Sequence, residues 1–521
     1  MWLDSRRRRN YDGPLYSNPR RMSPPRFRRS ALLAFTCAFS LALNAAAPTS
    51  LVIVVDGLRP DYITREVMPH LYAFGETGVI AEAHHAVFPT VTRVNSASIA
   101  TGAYPRTHGL MHNTIFLPEA SPNAIDTGEA PALLEAAQSL GGPLLTSTTL
   151  GDLLAAAGKK VLVVGSGTTG SALLLNPTLP TGASLIASRN LVRPASLQAR
   201  VDAVIGPPPA PDYPSRGANR WIMDAYLELG LKELKPDVTL MWLTDPDGTA
   251  HRNGPGAPKT IEALRHVDEE LGRLFSTLRQ RGLRDQVNIF ITADHGFSTH
   301  GGPFNLTALL TARGLADGVK IIGGNQIYVR SGGVEKVRRI VSVLQETPWV
   351  GAIFTRAKVP GSHEGIAPGT LSLDTIHHHH SRAADILVDP SWSDAKNAHG
   401  FAGATTSGGV AGHGSSSPYD IKIRLIASGP DLKQATRSTV PSGNIDLAVT
   451  LCQLHGIAPA PSMTGRVLGE LLRSGPAPTT VKVERMRHQV AAKTATGVYE
   501  ITLYKSRVGQ TEYIDYTETS R

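Results

Sequence analysis

Three aspartates, three histidines and a threonine stand out because of what surrounds them. Asp56 follows the apolar run at residues 51–55 in LVIVVDGLRPD. In VTLMWLTDPDGTAH, Asp247 lies just beyond the run ending at Leu243, with His251 four residues on. Asp294 and His295 close VNIFITADHG, and His413 sits in the glycine-rich GGVAGHGSSS. Carboxylate and imidazole donors without cysteine suit Zn²⁺, and three histidines make Mn²⁺ or Ca²⁺ less favoured. The glycines beside His413 let backbone approach an ion closely. Thr92, in FPTVTRVNSASIATGAYPRTHGLMHN (residues 88–113), adds a hydroxyl that is inert at neutral pH until a metal lowers its pKa. Such a set fits phosphoryl transfer at two cations about 3.5–4 Å apart, which can stabilise both apical oxygens of an in-line displacement.

The elements that must position these residues are legible as periodicity. Short apolar, β-branched runs predict buried strands near 51–55, 160–165, 238–243, 287–293, 385–388 and 422–427. Amphipathic spacing predicts helices near 148–157, 218–233, 257–281 and 444–455. The alternation implies an α/β fold, a largely parallel central sheet with helices on both faces and functional groups at the strand ends. Thr92 starts a helical stretch whose N-terminus favours a bound phosphate, with Asn95 three residues on. Residues 203–217, proline-rich and aperiodic, read as a surface loop. From about Thr479 the pattern alternates, and GVYEITLYKS and TEYIDYTE predict a β-hairpin around Gly509 that packs as an appendage. Singly, each site residue has a plainer explanation: a strand-end turn for Asp56, a helix cap for Thr92, loop positions for Asp247, His251 and His413. Their joint occurrence favours the metal site.

In this order, VDGLRPD, PTVT, TGAYPRTHGLMHN, DPDGTAH, ADHG and GHGS resemble the alkaline phosphatase superfamily, and within it the nucleotide pyrophosphatase/phosphodiesterase family, across roughly residues 50–473. The resemblance implies that Asp56, Thr92, Asp294 and His295 hold one metal and Asp247, His251 and His413 the other. Thr92 is then the nucleophile of a covalent phospho-threonine pathway, and the Asn113 amide donates to a non-bridging oxygen. It also places Tyr213 near the substrate pocket. Monoester-cleaving relatives usually carry a Lys-x-Arg pair near the phosphate, whereas the corresponding GSGTTGSALLLNP (165–177) has no cation, which favours diesters. Nucleotide-cleaving relatives place an aromatic after the nucleophile, but this chain has Arg93, which would pair with a distal phosphate or carboxylate of the substrate or with a carboxylate of the protein. The alternatives are a monoesterase or phosphonate hydrolase on the same scaffold and, more remotely, a non-catalytic metal-binding protein.

Two features call for plainer explanations. The run His377–His380 reads as a solvent-exposed loop with adventitious metal affinity, and Asp61 as a structural carboxylate. Nine arginines against two aspartates fall before residue 30, so that stretch carries +7 of the formal +9 and the remainder +2. Nucleic-acid binding through bulk charge is thus unsupported. RFRRSALLAFTCAFSLALNAAAPTS has a basic start, an apolar run at 31–43 and small residues at 45–47, the pattern of a secretory signal, with Met22 an alternative start. The expected division is a signal at 1–47, a catalytic domain at 48–475 and a β-rich extension at 476–521. The implied product is a periplasmic or secreted enzyme for a small phosphate ester, with no membrane span after cleavage. Of two cysteines, Cys37 lies in the apolar run, so only Cys452 is left and no intramolecular disulfide can form.

Overall fold

Runs of consecutive apolar residues become strands covered on both faces. The computed structural model describes residues 47–521; the expected export signal, Ala47 aside, lies outside the described residues. The central sheet contains β1 (Thr49–Val55), β2 (Val79–His85), β3 (Val161–Gly165), β4 (Ala183–Ala187), β5 (Leu191–Arg193), β6 (Val238–Leu243), β7 (Val287–Thr292), β8 (Lys422–Ser428) and β9 (Thr436–Ser438). Their lateral order is β9-β2-β8-β7-β1-β6-β3-β4-β5, with the short Ser442–Gly443 pairing beside β2. Strands β7, β1, β6, β3 and β4 are parallel, whereas β8 and β5 flank them antiparallel. Val54 pairs with Trp242 on one side and Thr292 on the other, so the C-terminal ends of β7, β1 and β6 lie side by side.

Alternation along β1 sorts the core. Val52 and Val54 face Ala97 and Ile99 of helix α1 (Thr92–Thr101). Leu51, Ile53 and Val55 face the opposite layer. Beyond β6 come α2 (Asp247–Asn253) and α3 (Pro258–Gln280), and α4 (Asp446–Leu454) packs on the α1 side. Helix α3 buries Leu264, Val267, Leu271, Leu274 and Leu278 at three- and four-residue spacing against β1. Its Asp268 turns inward to accept the N–H groups of His70 and Leu71, at 2.9 and 2.8 Å, which satisfies the open first turn of the helix Pro69–Thr77.

Several expectations shift. Residues 203–205 belong to the helix Gln198–Ile205, and Arg216 already opens the next one, so the irregular stretch expected over 203–217 is confined to 206–215. The helix expected over 218–233 runs as Arg216–Asp224 and widens into π-helical turns over Ala225–Leu234. The strand near 385–388 is Ile386–Pro390, but it belongs to a separate five-stranded sheet. The tail hairpin forms from Val498–Val508 and Thr511–Ser520, with Gly509 at φ +60° in the turn, and a third strand, Glu484–Lys493, lies beside it. This tail sheet bonds to the rest of the fold: Tyr513 donates to Asp446 at 2.8 Å, Trp392 Nε1 donates to Thr517 O at 2.6 Å, and His85 pairs with Asp515 at 2.9 Å.

Leu271 is fully buried between α3 and the sheet. Leu271→Ala should cost about 2–5 kcal/mol through lost transfer energy and the cavity left behind. Denaturant unfolding of the wild type and the variant checks this, a difference below about 1 kcal/mol contradicting the packing described.

Candidate active site

Three neighbouring strands deliver three carboxylates to one spot. Asp56 directly follows β1, Asp294 lies two residues past β7, and Asp247 opens α2 after β6. Gly57 adopts φ +74°, which turns its N–H onto Asp294 Oδ1 at 3.1 Å. Trp242 Nε1 donates to Asp56 Oδ2 at 2.9 Å. Asp56 and Asp294 thus each have one oxygen held, while Asp56 Oδ1, Asp294 Oδ2 and Asp247 Oδ1 are buried without a hydrogen-bond partner.

Imidazoles face those oxygens. His251 Nε2 and His413 Nε2 stand 3.2 and 3.3 Å from Asp247 Oδ1, and His295 Nε2 stands 3.0 Å from Asp294 Oδ2 and 3.5 Å from Asp56 Oδ1. The far nitrogen of each ring meets a backbone carbonyl: Ala411 O for His251, Thr90 O for His413 and Gly296 O for His295, at 2.7–2.9 Å. A carbonyl can only accept, so each Nδ1 carries a proton, and in the neutral ring the Nε2 lone pair faces the carboxylates. Protons or divalent cations must fill that space. Spacings of 3.0–3.5 Å match the edge of a tetrahedron whose bonds are about 2.0–2.1 Å, as zinc prefers, so the donor set fits the ion. Asp247, His251 and His413 offer ligand atoms all within 4.8 Å of one another, as do Asp56, Asp247 and His295, so Asp247 lies between the two groups.

The crowding sets the proton affinities. Burial, then the charges of Asp294 and Asp247, push the Asp56 carboxyl well above the usual carboxylate range. Burial pushes Asp247 the same way, but His251 and His413 overcome it and hold that group well below the range. Burial lowers His295, yet Asp294 and Asp247 carry it above its ordinary value, while His413, buried and stacked on His295 at 3.4 Å, falls below.

Thr92 is the first residue of α1, and Val91 rather than Thr92 occupies the cap position. Its Oγ1 lies 3.4 Å from His295 Nε2, and the first-turn N–H groups around it lack intrahelical acceptors. Asn95 pins the entry to the helix, accepting from Val87 N–H and donating to the Val87 and Val91 carbonyls. Asn113 accepts the Arg93 N–H at 3.0 Å through Oδ1, which leaves its amide nitrogen as a donor for another acceptor. The 413 loop is laced to this segment: Thr90 Oγ1 donates to Ser415 O at 2.8 Å and accepts from Gly414 N–H at 3.1 Å. A methyl group at Gly412 would sit 2.4 Å from His300 Cε1, so a side chain here would have to push the His300 ring aside. Arg93 and Tyr213 line the same cavity as Thr92, Asp56 and Asp247, with a volume of about 620 Å³.

The histidine run departs from expectation. His377 and His378 are buried and only His379 is exposed, because the flanking Leu373 and Ile376 belong to the core and draw the chain inward. His377 stacks on Tyr104 at 4.4 Å, and burial pushes His378 down to about 3, so neither carries charge at neutral pH. Asp61 pairs with Arg59 at 2.6 Å, as a structural carboxylate would. Arg189 and Arg252 also line the cavity and were not singled out from sequence, where isolated arginines carry no signal.

The profile of the family described as type I phosphodiesterase / nucleotide pyrophosphatase matches residues 50–405. The chain belongs to that family. Family membership accords with the family resemblance of the sequence, and the matched stretch ends before His413. A relative, venom phosphodiesterase 2 of Crotalus adamanteus, is 30% identical over 247 residues, which cover 46% of this chain and 26% of that protein. Ectonucleotide pyrophosphatase/phosphodiesterase family member 3 of Bos taurus is 25% identical over 80% of this chain and 43% of its own length. The chain therefore matches less than half the length of these relatives. Murine ectonucleotide pyrophosphatase / phosphodiesterase 5, solved in complex with AMP, superposes with a TM-score of 0.59 at 18% identity, covering 82% of this chain and all of that one, and shares the fold. Among the described residues no helix is long and apolar enough to cross a membrane.

A cation that binds the folded chain through these donors stabilises it, by about 2.7 kcal/mol at a hundredfold excess over Kd. Zinc should therefore raise the Tm of chelator-treated protein, and a His251→Ala/His413→Ala double variant should gain less. Because Asp56 holds its proton to unusually high pH, the zinc-induced gain should shrink as pH falls from 8 to 5. A Tm indifferent to zinc at pH 8 would contradict the ligand assignment.

Proposed function

We propose that this chain is an exported two-metal phosphodiesterase of the nucleotide pyrophosphatase type that works through a phospho-threonine intermediate. The observation that carries the reading is Thr92 at the first turn of α1, its Oγ1 3.4 Å from His295 and beside three carboxylates with unpartnered oxygens. Two divalent cations, held by Asp56, Thr92, Asp294 and His295 and by Asp247, His251 and His413, would lower the pKa of the Thr92 hydroxyl and offset charge on the phosphoryl oxygens. Thr92 Oγ1 gives up its proton to solvent and bonds to phosphorus as the bond to the leaving oxygen breaks, and the departing oxygen leaves as an anion that solvent can protonate. Water then cleaves the phospho-threonine, releasing a phosphate monoester and restoring the hydroxyl. Asn113, clamped through Oδ1 by the Arg93 N–H, presents its amide nitrogen to a non-bridging oxygen, and the Thr92 N–H adds to that contact. Arg93 and Tyr213 bound the retained part of the substrate. Serine and threonine hydroxyls from the 165–177 segment, Ser166, Thr168 and Ser171, line this cavity where monoester-cleaving relatives usually place cations, which supports a diester. Export to the periplasm or medium rests on the basic and apolar pattern of residues 1–47.

A specific observation favours a second reading, monoester hydrolysis. Arg93 follows the nucleophile and, among the described residues, has no carboxylate oxygen within 4.0 Å, so its charge could offset a dianion. Rates on bis-p-nitrophenyl phosphate, p-nitrophenyl phosphate and a phosphonate ester separate the readings, with the first substrate expected to be fastest.

Thr92→Ala removes the covalent step and should cut diester turnover by several orders of magnitude with the far-ultraviolet circular dichroism unchanged, whereas Thr92→Ser should retain substantial activity. Near wild-type hydrolysis by Thr92→Ala would end the phospho-threonine mechanism.

A further inference from the structure

Three guanidinium groups face the cavity beside Thr92, and none is neutralised there. Arg93 has a buried Nε without a hydrogen-bond partner. Arg252 lies over the Tyr213 ring at 4.6 Å and, among the described residues, has no carboxylate oxygen within 4.0 Å. Arg189 approaches Glu129 only to 3.9 Å, with both side chains more than half exposed, a pairing worth little in solvent. The cavity does contain carboxylates, but among the described residues none of those lining it comes within 4.0 Å of these guanidinium groups. Asp212 accepts the Gly217 N–H at 2.7 Å. Asp245 accepts the Ser215 N–H at 2.7 Å and the Thr249 hydroxyl at 2.8 Å. Asp56 and Asp247 face the imidazoles.

This concentration of charge does not follow from bulk composition, since residues beyond the first 29 carry a net charge of only +2. Arginine forks bind phosphate and carboxylate in two-point fashion, and stacking on Tyr213 holds the Arg252 plane in place. About 620 Å³ has room for a substituent beyond the scissile phosphate.

We propose that the retained substituent of the diester carries a second anionic group, a phosphate or a carboxylate, gripped by Arg93, Arg189 and Arg252. The assignment rests on the diesterase reading above and adds a substrate class to it: esters with a charged tail in preference to those with a neutral one.

The test holds the leaving group constant. Full-length protein supplied with zinc is assayed on p-nitrophenyl propyl phosphate, p-nitrophenyl 2-carboxyethyl phosphate and p-nitrophenyl 2-phosphoethyl phosphate, with p-nitrophenyl phosphate alongside. A charge-assisted contact at the tail should raise kcat/KM for the charged esters roughly tenfold to a hundredfold over the propyl ester. That ratio should fall in Arg189→Ala and Arg252→Ala, whose side chains are solvent-exposed and whose folding is checked by circular dichroism, and fall again with added salt. The relative rates of the carboxyethyl and phosphoethyl esters show which anion the site prefers. A ratio near one in the wild type, or one unmoved by both substitutions, overturns the anionic-tail assignment and leaves the diesterase reading standing. Turnover of p-nitrophenyl phosphate alone, with no diester cleaved, overturns the diesterase reading and the assignment together.

Discussion

Placing three carboxylates at adjacent strand ends inside a protein is the constraint on which the rest of this structure depends. Asp56, Asp247 and Asp294 lie close together because β1, β6 and β7 are neighbours in parallel register, and Asp56 and Asp294 are buried away from water while Asp247 is half-buried. Like charges at this range repel, and desolvation penalises each of them again. The surrounding residues act against that cost: the Trp242 indole and the Gly57 N–H each bond one oxygen, and three imidazoles locked by backbone carbonyls present lone pairs beside the others. What stays unsatisfied is aimed at one small volume, the usual architecture of a cation site rather than of a stable hydrophobic core.

Much of this was legible in the sequence, for a physical reason. A buried parallel strand must be apolar throughout, so an aspartate just after one is conspicuous, and 51–55, 238–243 and 287–293 announced both the strands and the carboxylates they carry. Family membership and the shared fold accord with that reading. The second coordination layer was less visible: Trp242 reads as one more apolar residue in its strand, although its N–H fixes Asp56. Local pattern failed where distant packing decided the outcome. The four histidines look like a solvated polar run, yet the apolar residues beside them carry two rings into the core. The strand Glu484–Lys493 is mostly charged or polar and exposed along one face, so it lacks the apolar alternation that marked its two partners. The cavity arginines come from segments that meet only in the folded chain.

The 413 loop shows how a sequence-remote segment is made precise. His413 reaches the carboxylates only because Thr90 grips the loop at three points, through its carbonyl, its hydroxyl oxygen and its hydroxyl proton. On its far side Asp420 accepts from both the backbone and the hydroxyl of Ser415, and Asp389 does the same for Ser416. Positioning is thus shared among side chains that never face a substrate, and the proposed nucleophile and its opposing imidazole are fixed relative to each other by a direct lacing of their two loops.

Ser416 also meets the hydroxyl of Thr517, in the last strand of the tail sheet. The segment that carries Thr92 is made before its partner loop, which lies 323 residues later, and the strand that braces that loop comes 101 residues after it. Synthesis is vectorial, so Thr90 stays without these partners until residues 413–416, and then Thr517, have been made. The donor group of Asp247, His251 and His413 is thereby complete only once segments far apart in the chain have met.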